Sequence, residues 1–340
     1  MARLSLAEAH DLVAAALAAN GASDRNAASV ARALVGAEAD GLKGHGLSRV
    51  AGYAAQLRAN KVIGDAAPAA SRPRPGVLAV DAAHGFAYPA LDLAVEALPA
   101  MARAQGIAAA SISRSHHCGA AGQPVEALAD AGLVALLFAN TPAAMAPWGG
   151  RTAVLGTNPI AFACPLPGEA PIVVDLSLSR VARGNIMAAK QRGESIPEGW
   201  ALDAEGRPTT DPAAALKGTM APLGDAKGVA LALMVELLAA GLTGALFAGE
   251  ASSFLDAEGG PPGTGQLILA LDPAAFSFGA TERFAVLARA IDHQEGARLP
   301  GARRLANRET AAASGLEVGD ALLAEIRTLA SQGAGVTADR

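Results

Sequence analysis

Two histidine-containing segments carry the residue types best suited to acid–base chemistry. In the first, GHGLSR, His45 and Arg49 are four residues apart, so on a helix both side chains could face one ligand. An imidazole titrates near neutral pH, and a guanidinium offers a planar fork that matches a carboxylate. The spacing indicates either a proton donor beside a carboxylate clamp or a helix start with a solvated His and Arg.

In the second segment, SRSHHCGAAG (113–122), a β-like run ends in His116 and His117 and is followed by small residues. A strand-to-helix turn of this kind exposes backbone N–H groups that can hold a phosphate, and an imidazole there can donate a proton. The alternative is a pair of loop histidines, one of them hydrogen-bonded locally. A Cys118 nucleophile activated by His117 is disfavoured, because adjacent side chains on an extended segment point apart.

Other chemistries lack their signatures. The chain has no GxSxG elbow for a serine hydrolase and no GxGxxG after a strand for a Rossmann dinucleotide site. Its two cysteines have no CxxC spacing, and no third metal ligand lies near the paired histidines, so no metal site is expected. A dinucleotide, if bound, must be held in some other way.

Composition narrows the class of protein. The 340 residues are 51% hydrophobic and carry 27 basic against 32 acidic side chains, a net charge of −5. Such a chain is long and apolar enough for two structural units, and without a basic cluster it is not expected to bind nucleic acid. Its apolar runs are too short to cross a bilayer, and Glu8 and Asp11 interrupt the region where a signal peptide would be apolar. We therefore expect no membrane association and a cytoplasmic location.

The elements that must position these residues alternate between helix and strand. A capping box at Ser5–Glu8 predicts a helix ending at Asn20-Gly21, and a second helix is predicted from Asp24 to Glu38. The proline-rich stretch from Pro68 to Pro75 reads as a connection into a new unit. Beyond it, five β-like runs are separated by alanine-rich helical stretches, which predicts an α/β or α+β fold. These runs are Val77 to Val80, Ile107 to Ile112, Leu133 to Phe138, Ile172 to Val174 and Gln266 to Leu271.

In order along the chain, eight segments resemble the type-2 malate/L-lactate dehydrogenase family of NAD(P)-dependent oxidoreductases. They are GHGLSR (44–49), SHHCG (115–119), LGTNPIAF (155–162), DLSLS (175–179), IPEGWALD (196–203), PTTDP (208–212), GDAKG (224–228) and PGARR (300–304). Within the family, the Δ1-piperideine-2-carboxylate/Δ1-pyrroline-2-carboxylate reductases are the group that the sequence resembles most at residues 140–150, 181–185, 218–228 and 251–262.

The resemblance implies a non-Rossmann fold with a mostly antiparallel central sheet, flanking helical subdomains and a homodimer. The units are then an N-terminal helical region that packs with the C-terminal helices (1–67), a nucleotide-binding sheet domain (68–178 and 250–300), a helical subdomain (179–249) and a helical tail (301–340).

The resemblance also implies the roles of individual residues. His45 would be the proton donor, and His117 a second acid/base group or a cofactor contact. Around the substrate it implies Arg49 as the carboxylate clamp together with Gly44, Met145, Trp148 and Gln191. The implied cofactor is NADPH, with NADH as the alternative. The residues implied to contact it are His117, Cys118, Gly119, Ala120, Ala121, Thr157, Asp175, Leu176, Ser177, Lys227, Gly228, Arg303, Arg304 and Arg308. The last three of these would bind its 2′-phosphate.

Two departures from the family pattern bear on the substrate. Gly44 stands where the family usually has a serine, and Gln191 stands where the imine reductases carry an aspartate. Losing that hydroxyl and carboxylate would lower the pKa of the imidazole and weaken its proton donation. An imine that is already protonated needs less help than a ketone, so the departures predict imine over ketone preference.

The expected function is NADPH-dependent reduction of a small cyclic 2-imino acid. One alternative is a 2-hydroxy-acid dehydrogenase acting on malate, L-lactate, sulfolactate or ureidoglycolate, whose 2-oxo acid partner depends more strictly on a working acid/base group. The other is an inactive paralogue that binds a dinucleotide.

Overall fold

A computed structural model describes residues 2–332, so residues 333–340 of the predicted tail lie outside the described residues. The helices are α1 (Leu6–Ala19), α2 (Asp24–Ala39), α3 (Val50–Arg58), α4 (Ala87–Gln105), α5 (Gly122–Asp130), α6 (Arg183–Arg192), α7 (Pro212–Lys217), α8 (Ala226–Glu236), α9 (Pro273–Phe276), α10 (Ala280–Asp292), α11 (Ala302–Ser314) and α12 (Asp320–Ser331). Within residues 2–332, none of these helices combines the length and the apolar character needed to cross a membrane.

Within residues 2–332 the strands form three sheets. They are β1 (Ala2–Leu4), β2 (Ala69–Arg74), β3 (Val77–Asp81), β4 (Ile107–Ser115), β5 (Val134–Ala139), β6 (Ile160–Leu166), β7 (Glu169–Leu176), β8 (Ala201–Leu202), β9 (Pro208–Thr209), β10 (Thr219–Met220), β11 (Thr264–Leu271) and β12 (Leu316–Val318). The main sheet has seven strands in the order β2-β3-β4-β11-β5-β6-β7, and only the β3–β4 pair is parallel. The predicted mixed fold with a mostly antiparallel sheet is confirmed.

The centre of the main sheet is fully buried and combines alanines with larger apolar side chains. Ile268 of β11 lies opposite Ala110 of β4 on one side and Leu137 of β5 on the other, and all three are fully buried. α4 and α5 pack on this region through residues such as Leu98 and Val125. The result is a rigid platform from whose strand ends the loops of the cavity project.

A second core joins the two ends of the chain. α1, α2 and α3 pack with α12, and β1 pairs antiparallel with β12. The predicted capping box is present at the start of α1: the Ser5 hydroxyl accepts from the backbone N–H of Glu8, and the Glu8 carboxylate accepts from the backbone N–H of Ser5. The first helix therefore begins where the sequence predicts.

The interpretation of Pro68 to Pro75 as a connection is wrong, because residues 69–74 form β2 at the edge of the main sheet. Every residue of β2 is exposed, and proline is tolerated on an edge strand because one side of it has no hydrogen-bonding partner. The proline-rich composition therefore belongs to the edge strand with which the main sheet begins.

Residues 179–249 contain α6, α7 and α8 together with a small sheet in the order β10-β8-β9. Their apolar side chains share a core with the loop after β5, where Met145 contacts this cluster and is fully buried. A π-helical turn, Leu237–Gly241, continues α8. This unit forms one wall of the cavity through the start of α6.

Candidate active site

A cavity of about 1010 Å³ lies between the turn that follows α2, the loop between β4 and α5, the end of β7 and the start of α6. It collects twelve of the residues that the sequence singled out. They are His45, Arg49, His117, Cys118, Gly119, Ala120, Thr157, Asp175, Leu176, Ser177, Arg303 and Arg304.

His45 and Arg49 are placed by two consecutive 3-10 turns, Lys43–His45 and Leu47–Arg49, instead of the single helix that their spacing suggested. The Arg49 Nε–H donates to the carbonyl oxygen of Gly44 at 2.7 Å, which orients the guanidinium. Gly44 therefore acts through its backbone. A Cβ at this position would contact nothing within 4 Å, so a serine would fit there.

The two site histidines stack on each other. The ring centroids of His45 and His117 are 5.4 Å apart with an interplanar angle of 16°. The Nδ1 atom of His117 shares a 2.8 Å hydrogen bond with the Tyr53 hydroxyl, which in turn lies 3.1 Å from the Tyr88 hydroxyl. Two buried phenols thus fix the orientation of His117, and His117 supports one face of His45.

Both imidazoles are held in their neutral form. Burial, together with the charge of Arg49, lowers the pKa of His45 to about 4. Burial and the same arginine hold the pKa of His117 well below its ordinary value. Burial also raises the pKa of Tyr53 to about 12, so its phenol stays protonated. At neutral pH both imidazoles are therefore unprotonated, because burial and the charge of Arg49 disfavour the imidazolium form.

His116 is separated from this chemistry although it is adjacent to His117. Its ring is 1% exposed, and neither ring nitrogen has a hydrogen-bond partner among residues 2–332. It packs against the rings of Tyr53, Phe86 and Phe254. Of the two candidates in the sequence, only His117 reaches the cavity.

One backbone amide at the start of α5 is already occupied, whereas the N–H groups of Gly119 and Ala120, which line the cavity, have no acceptor within residues 2–332. The Asp175 carboxylate accepts from the backbone N–H of Gly122 at 2.7 Å and so occupies this helix N-terminus. Burial raises the pKa of Asp175. At Gly119, where φ is +70°, a Cβ would collide with the Tyr88 ring, so only glycine fits this turn.

Two of the three arginines expected to hold a 2′-phosphate are already paired. Arg304 forms a two-bond ion pair with Glu126 at 2.9 and 3.0 Å, and Arg308 contacts both Asp40 and Glu126. Arg308 does not line the cavity. Arg303 and Arg298 do line the cavity. Both are exposed, and neither has a carboxylate partner among the described residues.

This buried ion cluster predicts a stability effect. Glu126→Gln removes one of the two carboxylates that form ion pairs with Arg304 and Arg308 and leaves Asp40. We expect the free energy of unfolding to fall by about 2–3 kcal/mol, measured by urea denaturation. Glu325→Gln, at an exposed position on α12, is the matched control and should change it by less than about 0.5 kcal/mol. Equal effects of the two changes would show that the cluster contributes nothing.

Several predicted residues lie away from the cavity. Met145 is fully buried in the core, Trp148 is 63% exposed in a surface turn, and Gln191 is exposed on α6. Lys227 is exposed at the start of α8. The remaining two are backbone positions in packed regions: Ala121 is buried before α5, and a Cβ at Gly228 would collide with the Leu223 carbonyl. The structure does not place these residues on the lining of the cavity.

Four further residues that the sequence did not single out belong to the site: Tyr53, Arg183, Phe254 and Arg298. Tyr53 contacts His117, and the others line the cavity. Phe254 is positioned by Gln56, whose amide donates to the carbonyl oxygens of Phe254 and Asp256. Arg183 and Phe254 lie in segments 181–185 and 251–262, which resemble the imine reductases, but nothing in the sequence singled out either residue within its segment.

The charges of the cavity suit a polyanionic ligand. Five arginines line it against two aspartates, one of which, Asp40, is neutralised by Arg304 and Arg308. The volume is at the upper end of ligand sites and has room for a dinucleotide beside a small acid. Within residues 2–332, no group of three or more His, Cys, Asp or Glu side chains is arranged to hold a metal ion.

Comparison with known proteins agrees with this geometry. The model of the malate/L-lactate dehydrogenase family matches residues 4–327. The chain is 55% identical to a (2R)-3-sulfolactate dehydrogenase (NADP(+)) of Chromohalobacter salexigens over 96% of this chain and 98% of that one. It is 44% identical to a Δ1-pyrroline-2-carboxylate reductase of Ancylobacter novellus over 97% and 98%.

Among solved structures, a Δ1-piperideine-2-carboxylate reductase from Pseudomonas syringae superimposes with a TM-score of 0.91 at 37% identity, covering 97% of this chain and all of that one. The chain belongs to the malate/L-lactate dehydrogenase family, and it is an oxidoreductase. The resemblance found in the sequence is confirmed.

Proposed function

We propose that the protein is an NADP-dependent dehydrogenase that interconverts a small 2-hydroxy acid and its 2-oxo acid. The observation that carries the proposal is the stacked His45–His117 pair beside Arg49, whose guanidinium has no carboxylate partner among residues 2–332. The 55% identical relative, named as an NADP(+)-dependent sulfolactate dehydrogenase, supports both the cofactor and the substrate class.

Each residue then has a defined task. Arg49 binds the substrate carboxylate, and its bond to Gly44 fixes the position of the acid. His45, neutral before the acid binds, accepts the proton of the 2-hydroxyl group, and His117 holds the His45 ring in place. A bound NADP would supply the hydride acceptor that this oxidation requires. Arg298 and Arg303 are the residues available to its phosphates.

Reduction of a cyclic 2-imino acid is the second candidate. Gly44 has no side chain to hydrogen-bond His45, and a neutral imidazole is no handicap when the substrate nitrogen already carries its proton. The 44% identical relative and the structural neighbour, both named as reductases of such imines, favour it.

The deciding experiment measures kcat/KM in parallel for sulfolactate, malate and lactate with NADP, and for Δ1-pyrroline-2-carboxylate and Δ1-piperideine-2-carboxylate with NADPH, each repeated with the phosphate-free dinucleotide. We expect a hydroxy acid to exceed every imine by at least tenfold when each is compared in its own direction. Turnover of imines alone would establish the second candidate. If none of the five substrates is turned over but NADPH binds tightly, the protein is an inactive dinucleotide-binding protein.

The low pKa of His45 predicts an unusual pH profile. Because the neutral imidazole is the active base, kcat/KM for hydroxy-acid oxidation should be flat above about pH 5 and fall only as the pH approaches 4. An ordinary histidine would place this fall near pH 6.5. The reverse reaction needs the protonated form, so its kcat/KM should fall about tenfold per pH unit above pH 5. An acid limb near pH 6.5 in the oxidation profile would contradict the assignment.

A homodimer is the final element of the proposal. The exposed side of α8 and of its π-helical continuation carries Leu233, Leu237 and Leu242, which are 51%, 55% and 66% exposed. Apolar patches of this kind are typical of subunit contacts. Sedimentation at micromolar concentration should give the mass of two chains.

A further inference from the structure

Lys61 is a buried lysine just beyond the end of α3. Its side chain is completely shielded from solvent. The ammonium donates to the Asp256 carboxylate at 3.0 Å and to the carbonyl oxygen of Glu258. Lysine side chains normally keep their charged end in water, and a buried charge is costly unless a partner compensates it. The ion pair with Asp256 therefore fixes this lysine, and the lysine fixes the segment that carries Asp256.

Asp256 and Glu258 belong to residues 251–260, here called the Phe254 loop, which contain neither helix nor strand. The loop is stabilised internally: the Ser252 hydroxyl donates to the Gly260 carbonyl at 2.6 Å, and the Asp256 carboxylate also accepts from the backbone N–H of Glu258 at 3.0 Å. These bonds shape the loop but do not attach it to its surroundings. Its attachment relies on contacts such as the one with Lys61.

The Phe254 loop forms the side of the cavity next to the histidines. Phe254 lines the cavity, and the centroid of its ring lies 5.3 Å from that of His117 and 5.1 Å from that of His116. His117 in turn stacks on His45. Displacement of the Phe254 ring would therefore open this side of the stack to water.

One face of α3 connects the carboxylate clamp to the same loop. Arg49 directly precedes the helix, Tyr53 follows four residues later and Gln56 three residues after that, so the three lie on one side. Tyr53 bonds one of the two stacked rings, and Gln56 donates to two carbonyl oxygens of the Phe254 loop at 3.0 and 2.9 Å. The bonds of Gln56 are neutral, and Lys61 adds a charged one. α3 and Lys61 thus form one bracket between Arg49 and the loop.

The electrostatics of the site link this bracket to the histidines. Burial is the main cause of the low pKa of His45 and of His117, and the charge of Arg49 adds to it. Burial also lowers the pKa of His116 to about 3, with a smaller contribution from the charge of Lys61. A change at Lys61 can therefore reach the histidines in two ways, through its charge or through the loop, and an experiment must separate them.

Resting on the proposed function for the role of His45 as the base, we propose that Lys61 is a positioning residue: paired with Asp256, it holds the Phe254 loop against the stacked histidines and keeps water out of that side of the cavity. Lys61 is buried, whereas the Asp256 side chain is 47% exposed. The loop is therefore the part that moves away when the pair is broken. His45 then loses the apolar surroundings that keep it neutral.

The test breaks the pair from each side in the enzyme without ligands. Lys61→Met removes a positive charge and Asp256→Asn a negative one, so direct charge effects on the imidazoles would have opposite signs. Release of the loop acts in the same direction in both variants. We expect the pKa of His45, followed by NMR with isotope-labelled histidine, to rise from about 4 to about 5 in both. Its resonance is the one that disappears in His45→Gln.

Hydrogen exchange shows whether the loop itself is released. Exchange of residues 251–260 should quicken at least tenfold in both variants, while exchange in β11 stays as in the wild type. Asp256→Asn leaves the ammonium buried without a counter-charge and should melt at a lower temperature. Lys61→Met fills the same volume without a charge and should melt normally, so it keeps the test valid if the other variant does not fold. Lys217→Met, exposed at the end of α7, is the control and should change neither measurement.

Three results would overturn the proposal. Opposite changes in the pKa of His45 would mean that Lys61 and Asp256 act only through their charges. Unchanged exchange of the loop would mean that Gln56 holds it without Lys61. Faster exchange with an unchanged pKa of His45 would mean that the loop does not shield the histidines. None of these measurements uses a substrate, so failure of the proposed function, which appears in the comparison of kcat/KM values, leaves them unaffected.

Discussion

His45→Gln is expected to lower kcat for oxidation of a 2-hydroxy acid by about 10²- to 10⁴-fold, the usual contribution of a positioned general base. Glutamine approximates the size of the imidazole and keeps a polar group in the cavity, but it cannot accept the proton of the 2-hydroxyl group. KM for the acid should change less than threefold, because Arg49 and its bond to Gly44 are retained.

The matched control is His293→Gln, at an exposed position after α10, which should leave both constants unchanged. His117→Gln removes the stacked ring and the hydrogen bond to Tyr53 but not the base itself. His117→Gln should therefore lower the activity less than His45→Gln does, and mainly through kcat. A His45→Gln enzyme within fivefold of the wild type would remove His45 from the mechanism.

The same variant separates the two candidate reactions. A protonated imine needs no proton from His45 during hydride delivery, so the rate of its reduction should fall less than tenfold in His45→Gln.

Gly44→Ser provides the opposite probe, since the backbone at residue 44 has room for a side chain. A serine hydroxyl beside His45 should raise the pKa of the imidazole and favour reduction of ketones over imines.

The sequence predicts the local elements well because their signals are local. The capping box of α1 and the apolar runs of β3, β4, β5, β7 and β11 need only neighbouring residues to be recognised. β2 and β6 were missed for identifiable reasons. β2 is a fully exposed edge with prolines, and in β6 a polar segment, Gly156-Thr157-Asn158-Pro159, directly precedes the strand.

The residues of the site could be predicted where a single short motif contains them. His45 and Arg49 come from two consecutive turns, and His117 to Ala120 come from the loop before α5. Arg183 and Phe254 reach the cavity from segments distant in the chain, so only tertiary contacts reveal them. Arg304 and Arg308 show the opposite error: their charge suggested a phosphate, but Asp40 and Glu126, far away in sequence, neutralise them.

Arg49→Lys is expected to raise KM for every 2-hydroxy or 2-imino acid by about 10²-fold, which corresponds to a loss of 2–3 kcal/mol in carboxylate binding. Lysine keeps the positive charge but cannot form the fork that matches a carboxylate, and it cannot keep the Nε–H bond to the Gly44 carbonyl. The loss should be the same for lactate and sulfolactate, since both carry the carboxylate that Arg49 holds.

Arg49→Gln adds a readout that a merely structural role would not produce. The charge of Arg49 contributes to the lowered pKa of His45, so removing it should raise that pKa. The acid limb of kcat/KM for oxidation should then move to higher pH, while Arg49→Lys leaves it near its original position because the charge remains. Arg72→Gln, on the exposed edge strand β2, controls for the loss of a positive charge. If the limb stays in place in Arg49→Gln, the two side chains are not coupled, and the clamp and the base act independently.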